Sequence, residues 1–315
     1  MDKLRVAVVG VGFWGRNHAR VYSTIEGVEL VAVVDANESV AQSVAKSLSC
    51  EHFSSIDEML RQKKIDAASV CTPSSTHATV SLELLKHGVN LLIEKPLTTT
   101  LAEGFRLLEE VKKSGAIVSV GFIERFNPAV RIIKEWVEKG ALGKLTLFYS
   151  RRVSNWPERI GDVGVVKDLS IHDLDLARYI IGKEAINVYA VIGKARRGLY
   201  EDYANILARF DDSTAFVESN WLTPYKERLL IVTGSNATAT ANYLTQEVTF
   251  ANVDGKFMPV VRPTEPLKLE LENFVKCVKT NTQPSPSIED GLKALALAEA
   301  AIESSNTGLP VRPAY

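Results

Sequence analysis

Hydrophobic and polar positions change their rhythm once along the chain, near residue 120. Before that point, short runs of β-branched and other apolar residues alternate with stretches whose apolar residues recur at helical spacing. This alternation is typical of parallel strands connected by helices. The predicted strands of this part lie at residues 4–9, 28–34, 66–71, 89–93 and 116–120.

Capping and turn residues support the helices between these strands. Ser55 with Glu58, and Thr100 with Glu103, have the spacing of a capping box. Glycine often follows the last turn of a helix because it adopts the left-handed conformation there. The glycines at which helices are predicted to end are Gly27, Gly88 and Gly115.

After residue 120 the chain contains longer strand-like segments separated by turn residues. These segments lie near residues 144–153, 186–196, 203–222 and 228–250. Strands joined by short turns are largely antiparallel. Asn127 and Pro128 suit the N-cap and the first position of a helix before them. Two more helices are predicted at about residues 265–280 and 288–304.

Composition narrows the functional classes. Apolar residues make up 46% of the 315-residue chain and charged residues 24%, as in soluble globular proteins. Lys and Arg number 37 against 38 Asp and Glu, which argues against a nucleic-acid or membrane-surface partner. The N-terminus does not resemble a signal peptide, and no run reaches the roughly 18 apolar residues of a membrane helix.

The three cysteines, Cys50, Cys71 and Cys277, lie far apart and form no CxxC pair. Neither a disulfide framework nor a cysteine zinc site is therefore predicted, and we expect no metal. A reducing, cytoplasmic location is the simplest interpretation.

The segment GVGFWG at residues 10–15 follows the first strand and opens a helix. In that context GxGxxG is typical of dinucleotide binding, because the glycines allow a tight turn and let the pyrophosphate approach the helix N-terminus. The predicted cofactor-binding residues here are Gly10, Gly12, Phe13, Trp14 and Gly15.

Asp35, at the end of the second strand, is placed to accept hydrogen bonds from the adenosine ribose. Its carboxylate repels a 2′-phosphate, so NAD is favoured over NADP. The alternative is that the glycines serve only the turn and that Asp35 begins a solvated loop.

These patterns predict an α/β protein of two domains. The N-terminal domain, residues 1–122, is expected to be an NAD-binding Rossmann parallel sheet. Residues 123–315 are expected to form an α+β domain with a large, mostly antiparallel open sheet that binds substrate and mediates oligomerisation.

A lysine ends the apolar run VNLLIEKPL, residues 89–97. If this run is the fourth strand, Lys95 emerges at the carboxyl edge of the sheet, where open α/β sheets bind ligands. Pro96 keeps Lys95 extended and stiffens the segment. The alternative is an ordinary surface lysine after a strand.

Four features in order, VAVVGVGFWG, Asp35, CTPSSTHA and IEKP, resemble the N-terminal half of the Gfo/Idh/MocA oxidoreductases, which are grouped with glucose-fructose oxidoreductase and inositol dehydrogenase. The resemblance implies that Lys95 lies beside the nicotinamide and the substrate hydroxyl. The residues that it implies for cofactor contact are Thr72, Pro73, His77, Glu94 and Lys95.

The segment DLSIHDLDLARYIIG, residues 168–182, is similar to the family's D-x-x-x-H-D-x-D motif. The resemblance implies that Asp168 and His172 complete the catalytic set with Lys95. Residues four apart share one helix face, so both side chains can point into one cleft. The alternative is that Asp168 is a helix N-cap and His172 a partly exposed first-turn residue.

Oxidation of a secondary alcohol requires a proton acceptor, and His172 is suited to that role near neutral pH. Lys95 would stabilise the alkoxide and Asp168 would orient the imidazole. A family member that only binds NAD as a regulator would be expected to lack part of this set.

Two segments, FIERFNPAV (122–130) and RRVSNWPERIGDVGVVKDLSIHD (151–173), resemble the UDP-N-acetylglucosamine 3-dehydrogenase branch. Arginines suit phosphate and a tryptophan suits a base. The predicted substrate-binding residues are Arg125, Asn127, Arg152, Trp156 and Arg159.

The same residue types are also common at interdomain and subunit contacts. The runner-up substrate is therefore an inositol or an aldose. The family resemblance also implies a homodimer or homotetramer in which a subunit covers the open sheet.

Overall fold

The structure is a computed structural model that describes residues 3–157, 162–196 and 198–315. The chain divides into two compact units. The N-terminal unit runs to Gly121 and includes Leu267–Leu292; the C-terminal unit comprises Phe122–Pro266 and Lys293–Tyr315. A segment late in the chain thus packs with the N-terminal unit.

The N-terminal unit contains a parallel sheet of six strands in the order β3-β2-β1-β4-β5-β6. Its strands are β1 (Leu4–Val9), β2 (Val28–Val34), β3 (Glu51–Phe53), β4 (Ala67–Val70), β5 (Asn90–Glu94) and β6 (Val118–Gly121). Its first helices are α1 (Phe13–Tyr22), α2 (Glu38–Leu48), α3 (Ile56–Gln62), α4 (His77–Leu85) and α5 (Leu101–Ser114). The predicted Rossmann sheet is confirmed, and β3 is an additional edge strand.

Local signals account for the helix ends. Thr100 and Glu103 form a complete capping box, and the Ser55 hydroxyl accepts from the backbone N–H of Glu58 at 3.3 Å. Gly115 ends α5 in the left-handed conformation, with φ 67°. These features confirm the two N-caps and Gly115, whereas α1 and α4 end before the predicted Gly27 and Gly88.

The C-terminal unit contains a sheet of eight strands in the order β14-β13-β12-β11-β7-β10-β9-β8. Its strands are β7 (Leu145–Val153), β8 (Asn187–Gly193), β9 (Tyr203–Arg209), β10 (Thr214–Asn220), β11 (Glu227–Gly234), β12 (Thr238–Asn242), β13 (Val248–Asn252) and β14 (Gly255–Phe257). Neighbouring strands are antiparallel except β7 and β10, which are parallel. The predicted mostly antiparallel sheet is confirmed.

Burial alternates along these strands, so the sheet has a covered and an open face. The covered face packs against α6 (Pro128–Glu138) and α7 (Ile171–Ile181) through residues such as Ala215 and Val217. Large apolar side chains occupy the open face, which we name the outer sheet face. Its main members are Leu147, Tyr149, Tyr189, Leu207 and Phe216.

The last two helices are α8 (Pro266–Thr280) and α9 (Ile288–Thr307), close to the predicted ranges. The first turn of α9 belongs to the N-terminal unit and the rest of α9 to the C-terminal unit. Within the described residues, no helix is both long and apolar enough to cross a bilayer.

Candidate functional site

The three glycines of the loop between β1 and α1 have two roles. Gly10 and Gly15 allow close packing of the backbone, and Gly12 leaves space for a ligand. A Cβ on Gly10, whose φ is 83°, would lie 2.6 Å from the Thr72 nitrogen, and one on Gly15 would lie 1.8 Å from the Gly10 carbonyl oxygen. Around Gly12 no described atom lies within 4 Å of such a Cβ. The N-cap Gly12 provides no side-chain acceptor, so the first N–H groups of α1 are available to a ligand. This cradle fits a pyrophosphate.

Asp35 lies where β2 ends, and its carboxylate orientation is set by the backbone. One oxygen accepts from the N–H of Val11 and the other from the N–H of Asn37, both at 2.9 Å. A carboxylate oxygen has more than one acceptor position, so ribose hydroxyls can still bind. Residues 36–45 contain no Lys or Arg that would attract a 2′-phosphate. The loop and Asp35 together fit NAD.

Two aromatic residues open α1. Phe13 is 62% exposed, and its ring meets Trp14 edge-on at 5.6 Å between centroids. Thr72 and Pro73 follow β4; Thr72 is partly exposed and Pro73 is exposed. These four predicted cofactor residues therefore lie at the carboxyl edge of the sheet with Asp35.

Lys95 directly follows β5 and is 8% exposed. Its backbone N–H donates to Glu94 Oε2 at 3.1 Å, and Glu94 Oε1 lies 3.1 Å from His18 Nε2. Burial favours a raised pKa for Glu94, but the hydrogen bond from His18 and the charge of Lys95 hold the pKa below its usual value. Glu94 is therefore an ionised carboxylate that contacts protein donors.

His77 links the loops that follow β4 and β5. Its Nδ1 lies 2.8 Å from the Pro96 carbonyl oxygen and its Nε2 lies 3.0 Å from the Thr72 carbonyl oxygen. The side chain is 1% exposed and begins α4. Both ring nitrogens thus contact backbone carbonyls of the two loops, and the cofactor contact implied for His77 stays a prediction.

Asp168 and His172 lie on consecutive turns of one helical segment in the C-terminal unit. A π-helical turn, Val166–Ser170, continues directly into α7. The Asp168 N–H donates to the Gly164 carbonyl at 2.9 Å, so Asp168 is inside the helical run and is not its N-cap. His172 is 7% exposed, and Phe122 packs edge-on against its ring at 6.4 Å. π-turns inside helices are frequent at functional sites.

The arginines predicted to bind substrate form ion pairs inside the C-terminal unit. Arg125 donates to both carboxylate oxygens of Asp175, at 2.7 and 2.5 Å, and is 6% exposed. Arg152 is 1% exposed and donates to Asp173 at 2.7 Å and to Glu124 at 2.9 Å. Burial opposes the charge of Arg152, but the two carboxylates raise its pKa. Carboxylates of the fold therefore bind both guanidinium groups, and the contact of Arg125 and Arg152 with substrate stays a prediction.

Asn127 is also used inside the fold. Its side-chain oxygen accepts from the N–H of Ala129, which makes it the N-cap of α6. Its NH₂ group donates to Glu124 at 3.1 Å and to the Tyr243 carbonyl at 3.0 Å. The N-cap prediction for Asn127 is confirmed, and its contact with substrate stays a prediction.

Trp156 is the remaining described member of the predicted substrate set. Its ring is partly exposed and meets Trp221 edge-on at 5.2 Å. Arg159 lies outside the described residues.

Three residues of the site region were missed from sequence: His18, Ser69 and Tyr22. All three are buried and hydrogen-bonded beneath the end of β5. The signal for this cluster in the sequence was weak, because His18 is one polar residue on the apolar face of α1.

Comparison with known proteins assigns the chain to a family. Residues 4–122 match the Gfo/Idh/MocA oxidoreductase family, described as an NAD-binding Rossmann fold. Residues 130–240 match the Gfo/Idh/MocA C-terminal domain.

Individual relatives match the chain over different lengths. The scyllo-inositol 2-dehydrogenase (NAD⁺) of Bacillus subtilis is 30% identical over 98% of this chain and 96% of its own length. A UDP-N-acetylglucosamine 3-dehydrogenase of Acidithiobacillus ferrooxidans is 35% identical over 61% of this chain and 58% of its own length.

A solved structure of the Acidithiobacillus ferrooxidans UDP-N-acetylglucosamine 3-dehydrogenase superposes with a TM-score of 0.89 at 27% identity, covering 98% of this chain and 99% of that one. The chain therefore belongs to the Gfo/Idh/MocA family of oxidoreductases, and its N-terminal unit is an NAD-binding Rossmann domain.

Proposed function

We propose that this protein is an NAD-dependent dehydrogenase that oxidises a secondary alcohol of a nucleotide-activated sugar, with UDP-N-acetylglucosamine as the leading substrate. The observation that carries this proposal is the full-length likeness to a UDP-N-acetylglucosamine 3-dehydrogenase at 27% identity. The resemblance of residues 122–130 and 151–173 to the same branch is consistent with it.

The residues present fit the cofactor. The first N–H groups of α1 beside Gly12 would bind the pyrophosphate, and Asp35 would bind the adenosine ribose. NAD, when bound, supplies the nicotinamide ring that takes a hydride from the alcohol carbon.

The polar side chains of the two units divide the remaining chemistry. In this proposal His172 accepts the hydroxyl proton at its imidazole, which is the usual role of a histidine base near neutral pH. The Lys95 ammonium stabilises the negative charge that develops on the same oxygen. Asp168, one helical turn before His172, orients the imidazole.

Trp156 is the described residue that best suits the nucleotide part of the substrate. Its ring is fixed against Trp221 and remains partly exposed, so one face can stack on a uracil base. Stacking on an aromatic side chain is worth about 1–3 kcal/mol per base.

A second candidate is a cyclitol such as an inositol. It is favoured by one observation: Arg125 and Arg152 are paired with internal carboxylates, which leaves fewer cations for a pyrophosphate than the sequence indicated. The 30% identity to a scyllo-inositol 2-dehydrogenase over 98% of the chain is consistent with this candidate.

Both candidate functions can be tested by the absorbance at 340 nm after the protein is mixed with NAD and a panel of alcohols. The panel is UDP-N-acetylglucosamine, UDP-glucose, free N-acetylglucosamine, myo-inositol, scyllo-inositol and glucose. We expect NADH formation with UDP-N-acetylglucosamine and much less with free N-acetylglucosamine. Turnover of an inositol alone would favour the cyclitol dehydrogenase. NAD binding without turnover of any alcohol would support a non-catalytic regulator.

The outer sheet face supports a homo-oligomer as its working form. Large apolar residues on neighbouring strands form a continuous patch on this face, and such patches are typical of interfaces. We propose that a second copy of the chain covers it, as a dimer or tetramer. The three cysteines are free thiols, in keeping with the proposed cytoplasmic location.

A further inference from the structure

Four buried side chains form a continuous hydrogen-bonded series beneath the end of β5. The Tyr22 hydroxyl lies 2.9 Å from Ser69 Oγ, and Ser69 Oγ lies 3.0 Å from His18 Nδ1. His18 Nε2 lies 3.1 Å from Glu94 Oε1. Glu94 Oε2 then accepts from the backbone N–H of Lys95 at 3.1 Å. Tyr22, Ser69 and His18 are 0% exposed and Glu94 is 7% exposed.

The chemistry of these groups gives the series one direction when the histidine ring carries a single proton. An ionised carboxylate only accepts, so His18 must donate from Nε2. Its Nδ1 then accepts from the Ser69 hydroxyl, whose oxygen accepts from Tyr22. Burial raises the pKa of Tyr22 above its usual value, which keeps its phenol protonated as a donor. All the hydrogen bonds are therefore satisfied together and end at Glu94.

The series joins two functional parts of the N-terminal unit. His18 is on the buried face of α1, the helix whose N-terminus forms the pyrophosphate cradle. Glu94 is the last residue of β5 and precedes Lys95. Opposite Glu94 on β6 is Gly121, where a Cβ would lie 3.0 Å from the Glu94 carboxyl carbon. A glycine there makes room for the carboxylate.

We propose that Glu94 is a positioning residue that holds the peptide of Lys95, and through it the Lys95 ammonium, in a fixed relation to α1, with His18 and Ser69 keeping Glu94 in place. Each carboxylate oxygen of Glu94 accepts from a protein donor, and the cofactor contact predicted for Glu94 stays a separate prediction. The proposal rests on the catalytic role that the proposed function gives to Lys95.

Glu94→Gln is the sharpest test, because the amide has the same size but turns an NH₂ group toward either His18 or the Lys95 N–H. We expect kcat to fall at least about tenfold, while the NAD dissociation constant, measured by protein fluorescence, changes less than about threefold. Ser69→Ala removes the donor to His18 and should lower kcat in the same direction by a smaller factor.

Ser81→Ala is the matched control for Ser69→Ala. Ser81 is 0% exposed on α4, and its hydroxyl has no partner among the described residues. Its removal should leave kcat and NAD binding unchanged. A role in stability alone would lower the melting temperature of Glu94→Gln without changing kcat.

A readout independent of turnover is the rate at which Lys95 is acetylated by acetic anhydride at fixed pH, measured by mass spectrometry. Glu94→Gln should raise that rate at least about threefold, because the neighbouring negative charge and the backbone restraint are both lost. Ser81→Ala should leave the rate of Lys95 acetylation unchanged. Equal Lys95 acetylation in Glu94→Gln and wild type would overturn the proposal.

Turnover separates the remaining outcomes. A parallel loss of NAD binding and kcat in Glu94→Gln would indicate a direct cofactor contact and also overturn the positioning role. Undiminished turnover in Lys95→Ala would instead remove Lys95 from the reaction and refute the proposed function, whatever the acetylation result.

Discussion

At the scale of single residues, Asp35 is predicted to decide between NAD and NADP. Asp35→Asn should weaken NAD binding about tenfold, because the amide turns one donor toward the backbone N–H of Val11 or Asn37 and a charged acceptor for the ribose is lost. NADP binding should weaken less or improve. Glu38→Gln is the control, since it removes an exposed negative charge three residues further along. Fluorescence titration with both dinucleotides gives the ratio of the NAD and NADP dissociation constants. An unchanged ratio in Asp35→Asn would contradict the prediction.

The proposed catalytic pair gives a second prediction at this scale. Lys95→Ala and His172→Ala should each lower kcat at least about 100-fold, a typical contribution of a general base, while NAD binding persists. Steady-state assays at 340 nm with the substrate from the panel and fluorescence titration with NAD measure the two effects. The exposed residues Lys64 and His87 provide matched controls, Lys64→Ala and His87→Ala. Full activity in either catalytic variant would exclude that residue from the mechanism.

The limits of sequence interpretation are clearest in the arginines. Gly10 and Gly15 could be predicted because each needs a backbone approach that no side chain allows. The partners of Arg125 and Arg152 could not be assigned from sequence. An arginine gives the same sequence signal whether its anionic partner belongs to a ligand or to the fold. Their partners, Asp175 and Asp173, were already visible in the HDLD stretch of the predicted active-site helix.

At the scale of elements, strands and helices with strong local signals were predictable and weakly signalled ones were not. The strand β3 has three residues, too few for a hydrophobic alternation, and its pairing with Ala32–Val34 depends on the rest of the sheet. The π-helical turn at Val166–Ser170 was missed for a similar reason. Its extra residue per turn depends on surrounding contacts and leaves no trace in the hydrophobic period.

The N-cap of α5 is a single element whose contribution to stability can be measured. Thr100→Ala should lower the free energy of unfolding by about 1 kcal/mol, because it removes the hydroxyl that accepts from the Glu103 N–H at the start of α5. Urea denaturation followed by circular dichroism measures it. Thr100→Ser retains the oxygen and should stay within a few tenths of a kcal/mol of wild type. Equal losses in both variants would show that the methyl group, and not the cap, carries the effect.

At the scale of the whole molecule, the outer sheet face connects fold and assembly. The alternation of burial along β10 leaves Phe216 on the outer sheet face, where its ring stacks on Tyr149 at 5.8 Å between centroids. Leu207 on the neighbouring strand β9 is paired with Phe216. The pattern of polar and apolar positions predicted an open sheet. It did not predict how apolar the open face is, because the same alternation serves a solvated sheet and a subunit interface.

Leu147→Glu tests the assembly directly. Leu147 lies on β7, between β10 and β11 in the sheet, and is 38% exposed on the outer sheet face. Burying an unpaired carboxylate in an interface costs several kcal/mol, so the variant should be monomeric where the wild type is a dimer or tetramer. Size-exclusion chromatography with light scattering gives the masses. Leu309→Glu, at a residue 64% exposed after α9, introduces the same charge off this face and should keep the wild-type mass. A wild-type monomer, or an unchanged mass in Leu147→Glu, would show that this face is not where copies of the chain meet.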